Sequence, residues 1–378
     1  MQKKILYILN IANRVNNFSY TSMLAAQELG FDYHIAGNWG YKSDDERIAD
    51  EKKYNIHIYQ IDFVRAPYHP GNIKAYKQLD SIISREKFDI IHCNTPIGGV
   101  VGRLLGKKHK VPTVIYQAHG FHFFKGAPIL NWILYYPIEK WLAHYTDSLI
   151  TINHEDFDRA KSLKLRNNGS VYYVPGVGID RMLFSDFCLT GKKEKLRKLK
   201  LPNNAFVLIS VGELNKNKNV GTILCSIKKM NNSNIHFLIC GKGKEFFRLK
   251  RVAKELGIEN NVHFLGFRTD VIELYSVANA FILSSCREGL SRSIMEAMAS
   301  GLPCVVSNIR GNVDLITDGE GGFLCDPKDS KGFAEKIQLL FLNRKVCESM
   351  RIKNIEKIKE FDIDSSKNAL TKVYKECK

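Results

Sequence analysis

A chain of 378 residues exceeds what one hydrophobic core usually organises, so two domains of roughly 150–200 residues are expected. Hydrophobic residues at 44% and charged residues at 25% exclude a disordered or fibrous protein. A formal net charge of +17, from 56 Lys+Arg against 39 Asp+Glu, calls for an acidic partner: nucleic acid, anionic lipid or a phosphorylated ligand.

In chain order, Lys3 and Lys4 lead into the apolar stretch 5–9, which is too short for a signal-peptide core, lacks a small-residue cleavage site and predicts a buried first strand. Further strands are predicted at 88–94 (FDIIHCN), 113–118 (TVIYQA), 148–153 (SLITIN) and 171–174 (VYYV), where β-branched and aromatic residues run almost without interruption, as in strands covered on both faces. The pattern breaks over 175–201, first at the turn-rich PGVGID and then at the lysine-dense GKKEKLRKLK. A second series follows at 205–212, 236–241, 262–266, 280–285 and 303–308, and the basic stretch 345–378 reads as amphipathic helix. Short apolar runs alternating with longer helical patterns indicate α/β architecture with mainly parallel sheets. The expected layout is a first Rossmann-like domain over 1–178, a linker over 179–201, a second Rossmann-like domain over 202–358, and a final helix over 359–378 expected to pack back on the first domain. Two doubly wound sheets of this kind bind ligands at the carboxyl ends of their strands, so a cleft between them suits a two-substrate reaction.

Nine cysteines with no C-x-x-C pair and no zinc-type Cys/His spacing fit a reducing compartment and no metal site. No uncharged run reaches roughly 18 apolar residues, so any membrane contact is expected to be peripheral.

The most informative segment is SSCREGLSRSIMEAMASGLP at 284–303, a strand end, a Gly-containing turn and a helix that ends at Gly301. A helix start offers free N–H groups and a positive dipole end to a phosphate. Glu288 at the turn and Glu296 about two turns later can both accept hydrogen bonds from sugar hydroxyls. A ligand made of sugar, diphosphate and ribose would meet carboxylate, amides and carboxylate in that order. This E-x7-E arrangement resembles the donor site of the retaining GT-B glycosyltransferases of the glycogen-synthase-like family, family 4, and the resemblance extends over nearly the whole chain. It implies that Glu288 contacts the donor sugar, that backbone amides of Gly289, Leu290, Ser291 and Arg292 hold the diphosphate, and that Glu296 binds the ribose.

The same resemblance places Lys218, in the segment VGELNKNKN at 211–219, on the leaving diphosphate. The family's usual Arg after the glycine is here Glu213, so the second cation falls to Arg292 or Lys216, of which Arg292 at the helix start is preferred. Gly241 and Gly243 resemble the family's G-x-G turn near the nucleotide, and Arg268 sits where the base is met. In the first domain, HGFHFF at 119–124 resembles a segment of capsule and exopolysaccharide transferases, implying that His119 faces the reacting sugar; His122 reads as structural. The aromatic stretch 129–145, with Trp132, Tyr136 and Trp141 beside Lys125 and Lys140, is read as part core and part membrane-interface surface. Relatives carry a Gly-Gly turn where this chain has the loop 13–19, which lacks such a pair.

The resemblance implies a metal-independent transfer without a cofactor, from a nucleotide-sugar, commonly a UDP-sugar, to an undecaprenyl-diphosphate-linked acceptor at the cytoplasmic face of a membrane. A nucleotide-sugar epimerase of the same fold and a non-catalytic subunit of a glycan-synthesis complex are the alternatives. No nucleic-acid-binding module accompanies the positive charge.

Overall fold

The computed structural model describes residues 2–12, 15, 17–185 and 191–377. Asn13, Arg14 and Asn16 of the loop 13–19, and residues 186–190 of the expected linker, lie outside the described residues. The chain divides into two compact units, one made of Met1–Gly178 with Ile363–Lys378, the other of Ile179–Asp362.

The first unit is built on β1 (Lys4–Ile11), β2 (Asp32–Asn38), β3 (His57–Gln60), β4 (Ile90–Asn94), β5 (Thr113–Ala118), β6 (Ser148–Thr151) and β7 (Ser170–Tyr173). Their order in the sheet is β3-β2-β1-β4-β5-β6-β7, with every neighbouring pair parallel. The order reverses between β1 and β4, and a crevice opens at the carboxyl ends of the strands at such a reversal. β4 and β5 are buried along their whole length, with His92, Asn94, Thr113 and Gln117 buried among their apolar side chains. β2 and β3 have no such run: DYHIAGN and HIYQ hold polar side chains between the apolar ones, and β3 is an edge strand.

The helix Ile363–Lys375 closes this unit by packing against the helix Asn17–Glu28. Leu370, Val373, Tyr374 and Cys377 share one core with Tyr7 and Tyr33. The Tyr374 hydroxyl lies 2.6 Å from Ser22 Oγ and 2.6 Å from His92 Nδ1, so its polar end is satisfied inside that core.

The second unit carries β8 (Phe206–Val211), β9 (Ile235–Cys240), β10 (Val262–Gly266), β11 (Ala280–Leu283), β12 (Cys304–Ser307) and β13 (Gly322–Cys325), in the parallel order β10-β9-β8-β11-β12-β13. Its reversal falls between β8 and β11. The stretch 179–201, read from its lysine density as a linker, is part of this unit: Ile179, Phe184, Leu196 and Leu201 enter the same core as Ile294 and Met298. A few apolar side chains among the lysines suffice to fold it down. Ile358 and Phe361 also belong to this core, so the chain leaves the second unit only at Asp362.

Candidate functional site

In the second unit, the ends of the two strands that flank the sheet reversal, β8 and β11, converge. Cys286 N–H donates to Asn217 O at 2.8 Å, and Asn217 Nδ2 donates to Arg287 O at 2.9 Å, which stitches the loop after β8 to the loop after β11. Asn219, in the left-handed region at φ 51°, sends its amide to the carbonyls of Ser284 and Pro327. These bonds bring Lys218 Nζ to 2.7 Å from Glu288 Oε1, with side-chain exposures of 19% and 13%. The partly dry setting makes this pair stronger than a surface contact.

The backbone at Glu288–Gly289 is held from behind by two residues that the sequence did not single out. Arg310, 7% exposed, donates from Nε to Glu288 O at 3.2 Å. Gly311, at φ +79°, lies so close that a Cβ there would collide with Gly289 O. Their position just after β12 is the only sequence signal. Gly241 and Gly243 serve a similar close approach: a Cβ at either would collide with the carbonyl of Gly212 or Leu214, so the G-x-G turn lets the loop after β9 lie against the loop after β8.

The helix Arg292–Ala299 starts at Ser291, whose side chain makes no capping bond and instead lies 3.2 Å from Ser293 Oγ. Arg292 Nε donates to Glu296 Oε1 at 2.8 Å, and the buried Tyr275 hydroxyl donates to Glu296 Oε2 at 3.2 Å. Glu296 is thus fixed in direction, and the guanidinium expected as the second phosphate cation is engaged along its own helix. Arg268 forms a two-pronged contact with Asp270, with Nε donating to Oδ1 at 2.7 Å, and the guanidinium holds the Asp270 carboxyl below its usual range. Glu213 and Lys216 are exposed.

In the first unit, His119 follows β5, and its Nε2 lies 3.0 Å from Oδ1 of Asn94, the last residue of β4. The Phe18 ring meets the imidazole edge-on at 5.3 Å. Burial pulls the His119 pKa down to about 4, so the ring is neutral at pH 7. Phe121 and Phe123 stack at 4.8 Å in the core, and Phe121 N–H donates to the buried Asp156 at 3.1 Å; this aromatic anchoring fixes the turn that carries His119. A cavity of about 440 Å³ opens at the carboxyl ends of β1 and β4, with Asn10, Phe18, Arg65, Asn94, Thr95 and His122 in its wall. His122, read as structural, therefore faces this cavity while its ring lies 4.6 Å from that of Tyr135.

The helix Ile129–Ala143 divides its apolar residues between two faces. Trp132, Tyr135 and Tyr136 pack on the core, and Glu139 is tied to the buried Arg103, whose guanidinium sits 3.8 Å from the Tyr116 ring centre. Ile129, Leu130, Ile133, Leu134, Ile138 and Trp141 are exposed, with the exposed Lys125 and Lys140 close in sequence. Among the described residues no helix is long and apolar enough to cross a membrane.

One group among the described residues has the donors for a metal ion: Asp32, His34 and His57, at the opposite ends of β2 and β3 from the cavity. Its members contact one another and Tyr59: His34 Nε2 lies 2.9 Å from Asp32 Oδ2, His34 Nδ1 3.1 Å from Tyr59 Oη, and His57 Nε2 3.3 Å from Asp32 Oδ1.

Two family models match: "Glycosyl transferase 4-like" over residues 4–153 and "Glycosyl transferases group 1" over residues 191–357. EpsD of Bacillus subtilis, named as a glycosyltransferase, is 35% identical over 93% of this chain and 90% of its own length. The UDP-Gal:alpha-D-GlcNAc-diphosphoundecaprenol alpha-1,3-galactosyltransferase of Escherichia coli is 29% identical over 81% of this chain and 85% of its own. Among solved structures, Anabaena HepE in complex with UDP and glucose superposes with a TM-score of 0.78 at 18% identity, over 99% of this chain and all of that one.

Proposed function

The chain belongs to the GT-B glycosyltransferases, and from that premise we propose that it moves a sugar, with retention of anomeric configuration, from a UDP-sugar to an undecaprenyl-diphosphate-linked acceptor in capsular or exopolysaccharide synthesis. The observation that carries this reading is the Lys218–Glu288 pair at the reversal point of the second sheet, beside the amides of the 289–292 turn. A cation, a carboxylate and the N–H groups of a helix start within one loop cluster suit a ligand that joins a sugar to a diphosphate. UDP in the HepE structure and a diphosphoundecaprenol acceptor for the Escherichia coli relative support the choice of donor and acceptor.

In this mechanism Lys218 and the helix-start amides neutralise the leaving diphosphate, and no metal is needed. The C1–O bond to the diphosphate breaks as the acceptor oxygen bonds to C1 from the same face, and a leaving phosphate oxygen takes the acceptor's hydroxyl proton. In the second unit Glu288 orients the sugar as positive charge develops at C1, and Glu296, fixed by Arg292 and Tyr275, receives the ribose hydroxyls; in the first unit His119 is the hydrogen-bonding group proposed for a sugar hydroxyl. Arg292 is paired with Glu296 and Lys218 with Glu288, and Lys218 is the cation proposed to meet the diphosphate. The exposed aliphatic face of Ile129–Ala143, with Lys125 and Lys140, fits a bilayer interface where aromatic and aliphatic side chains bury and lysines meet anionic headgroups.

UDP release from a panel of UDP-sugars, with membrane extract as acceptor and Glu288→Ala as control, tests the reading. Acceptor-dependent release that disappears in the variant supports it. An epimerised sugar nucleotide, or no release with any donor, contradicts it.

A further inference from the structure

Asn94 is a buried polar residue in a strand of otherwise sheet-filling side chains, 1% exposed. Its Oδ1 meets His119 Nε2, but its amide nitrogen has no hydrogen-bond partner among the described residues. A buried amide left unpaired destabilises the fold, so its presence calls for a reason. The residue lies in the wall of the 440 Å³ cavity.

The backbone around it is held in an unusual form. Thr95, directly after Asn94, has φ 65° and ψ 158°, a conformation that a β-branched residue rarely adopts. Asn10, from the end of β1, braces that turn: its Oδ1 accepts from Thr95 Oγ1 at 2.9 Å and from Gly98 N–H at 2.8 Å. The strained turn and its brace fix where the Asn94 side chain leaves the strand.

From this geometry we infer that Asn94 is a positioning residue for His119, holding the imidazole with its proton on Nε2 while presenting its unpaired amide N–H to an acceptor-sugar hydroxyl in the cavity. The carbonyl oxygen of Asn94 accepts only if Nε2 carries the proton. The other ring nitrogen, Nδ1, is then left with its lone pair, so His119 acts toward a sugar hydroxyl through Nδ1 as a hydrogen-bond acceptor. The free amide N–H of Asn94 supplies the complementary donor. The inference rests on the proposed transferase reading for the identity of the ligand, though not for the tautomer.

Histidine labelled with ¹⁵N in the full-length protein reports the tautomer directly, with the His119 signals assigned by their loss in His119→Gln. The expected result is a protonated Nε2 in the wild type, the same in Asn94→Asp, whose carboxylate can accept the same N–H, and a mixture of tautomers in Asn94→Ala. Both Asn94 variants remove the amide donor, so each should raise the acceptor KM by about tenfold, the worth of roughly one hydrogen bond, while UDP binding measured by calorimetry stays unchanged. A protonated Nδ1 in the wild type, an unaltered tautomer in Asn94→Ala, or an unaltered acceptor KM in both variants would overturn the inference. A wild-type protein that consumes no UDP-sugar would instead remove the transferase reading, and the tautomer spectra would still decide the role of Asn94.

Discussion

Lys218 Nζ and Glu288 Oε1 lie 2.7 Å apart, so the cation and the carboxylate that a nucleotide-sugar would meet on successive groups brace each other across two loops. Lys218→Met removes the charge and keeps most of the chain length. It should lower kcat by about 10²–10³-fold, the range for loss of one preorganised electrostatic contact to a developing negative charge. Glu288→Gln, which keeps a hydrogen-bonding group beside Lys218, should reduce kcat while leaving UDP affinity within a few-fold of wild type. Steady-state kinetics with calorimetry of UDP separates the two. Equal loss of UDP affinity in both variants would mean that the pair only shapes the loops.

Tyr374 ties the final helix into the first unit through the core it shares with Tyr7 and through its contacts with Ser22 and His92. Truncation of a fully buried aromatic costs about 3–5 kcal/mol, so Tyr374→Ala should lower the urea midpoint sharply. Tyr374→Phe should cost less, about 1–3 kcal/mol, because only the hydrogen bonds are lost. If both variants unfold at the wild-type midpoint, the final helix does not contribute to this core.

Acid should weaken the fold before its carboxylates titrate. Burial holds the His92 pKa down to about 3, against an ordinary 6.5, and holds His119 at about 4. Between those values the unfolded chain binds protons that the folded chain refuses, so stability is complete above pH 6.5 and falls as pH drops below it. The slope approaches about 1.4 kcal/mol per pH unit for a fully buried histidine. Urea midpoints at pH 7, 6 and 5 should therefore decline, and the decline should flatten in His92→Gln. A midpoint constant from pH 7 to 5 would contradict the burial of these rings.

The apolar face of Ile129–Ala143 gives a separate test. Ile133 is 62% exposed and Ile138 44%, so replacing both with Asp should leave stability nearly unchanged while abolishing sedimentation with vesicles rich in anionic phosphatidylglycerol. Wild-type protein that stays in the supernatant at low salt would mean that this face does not bind a bilayer.

Much of the fold was readable because β1, β4, β5, β8, β9 and β11 are covered on both faces and so carry dense apolar runs. β2, β3 and β13 were not, being polar-interrupted or four-residue edge strands whose burial comes from neighbours distant in sequence. The E-x7-E segment revealed the turn and helix, because both glutamates lie on one local element. What holds that turn, Arg310 and Gly311, comes from the next strand and leaves no periodic trace. The Asn94–His119 contact is likewise set by the pairing of β4 with β5, a register that does not show in the sequence between two residues 25 positions apart. The same applies to Asp32, His34 and His57, which meet only because His34 and His57 are register partners in β2 and β3.

Sugar transfer to a lipid-linked acceptor is read out by the passage of radiolabel from a UDP-sugar into solvent-extractable undecaprenyl-diphosphate-linked glycan. Label should enter the lipid fraction, depend on both enzyme and acceptor, be released by mild acid, and be lost in Lys218→Met and Glu288→Ala. Label that remains entirely in nucleotide-sugar or free sugar, with every donor and with acceptor present, would contradict such transfer.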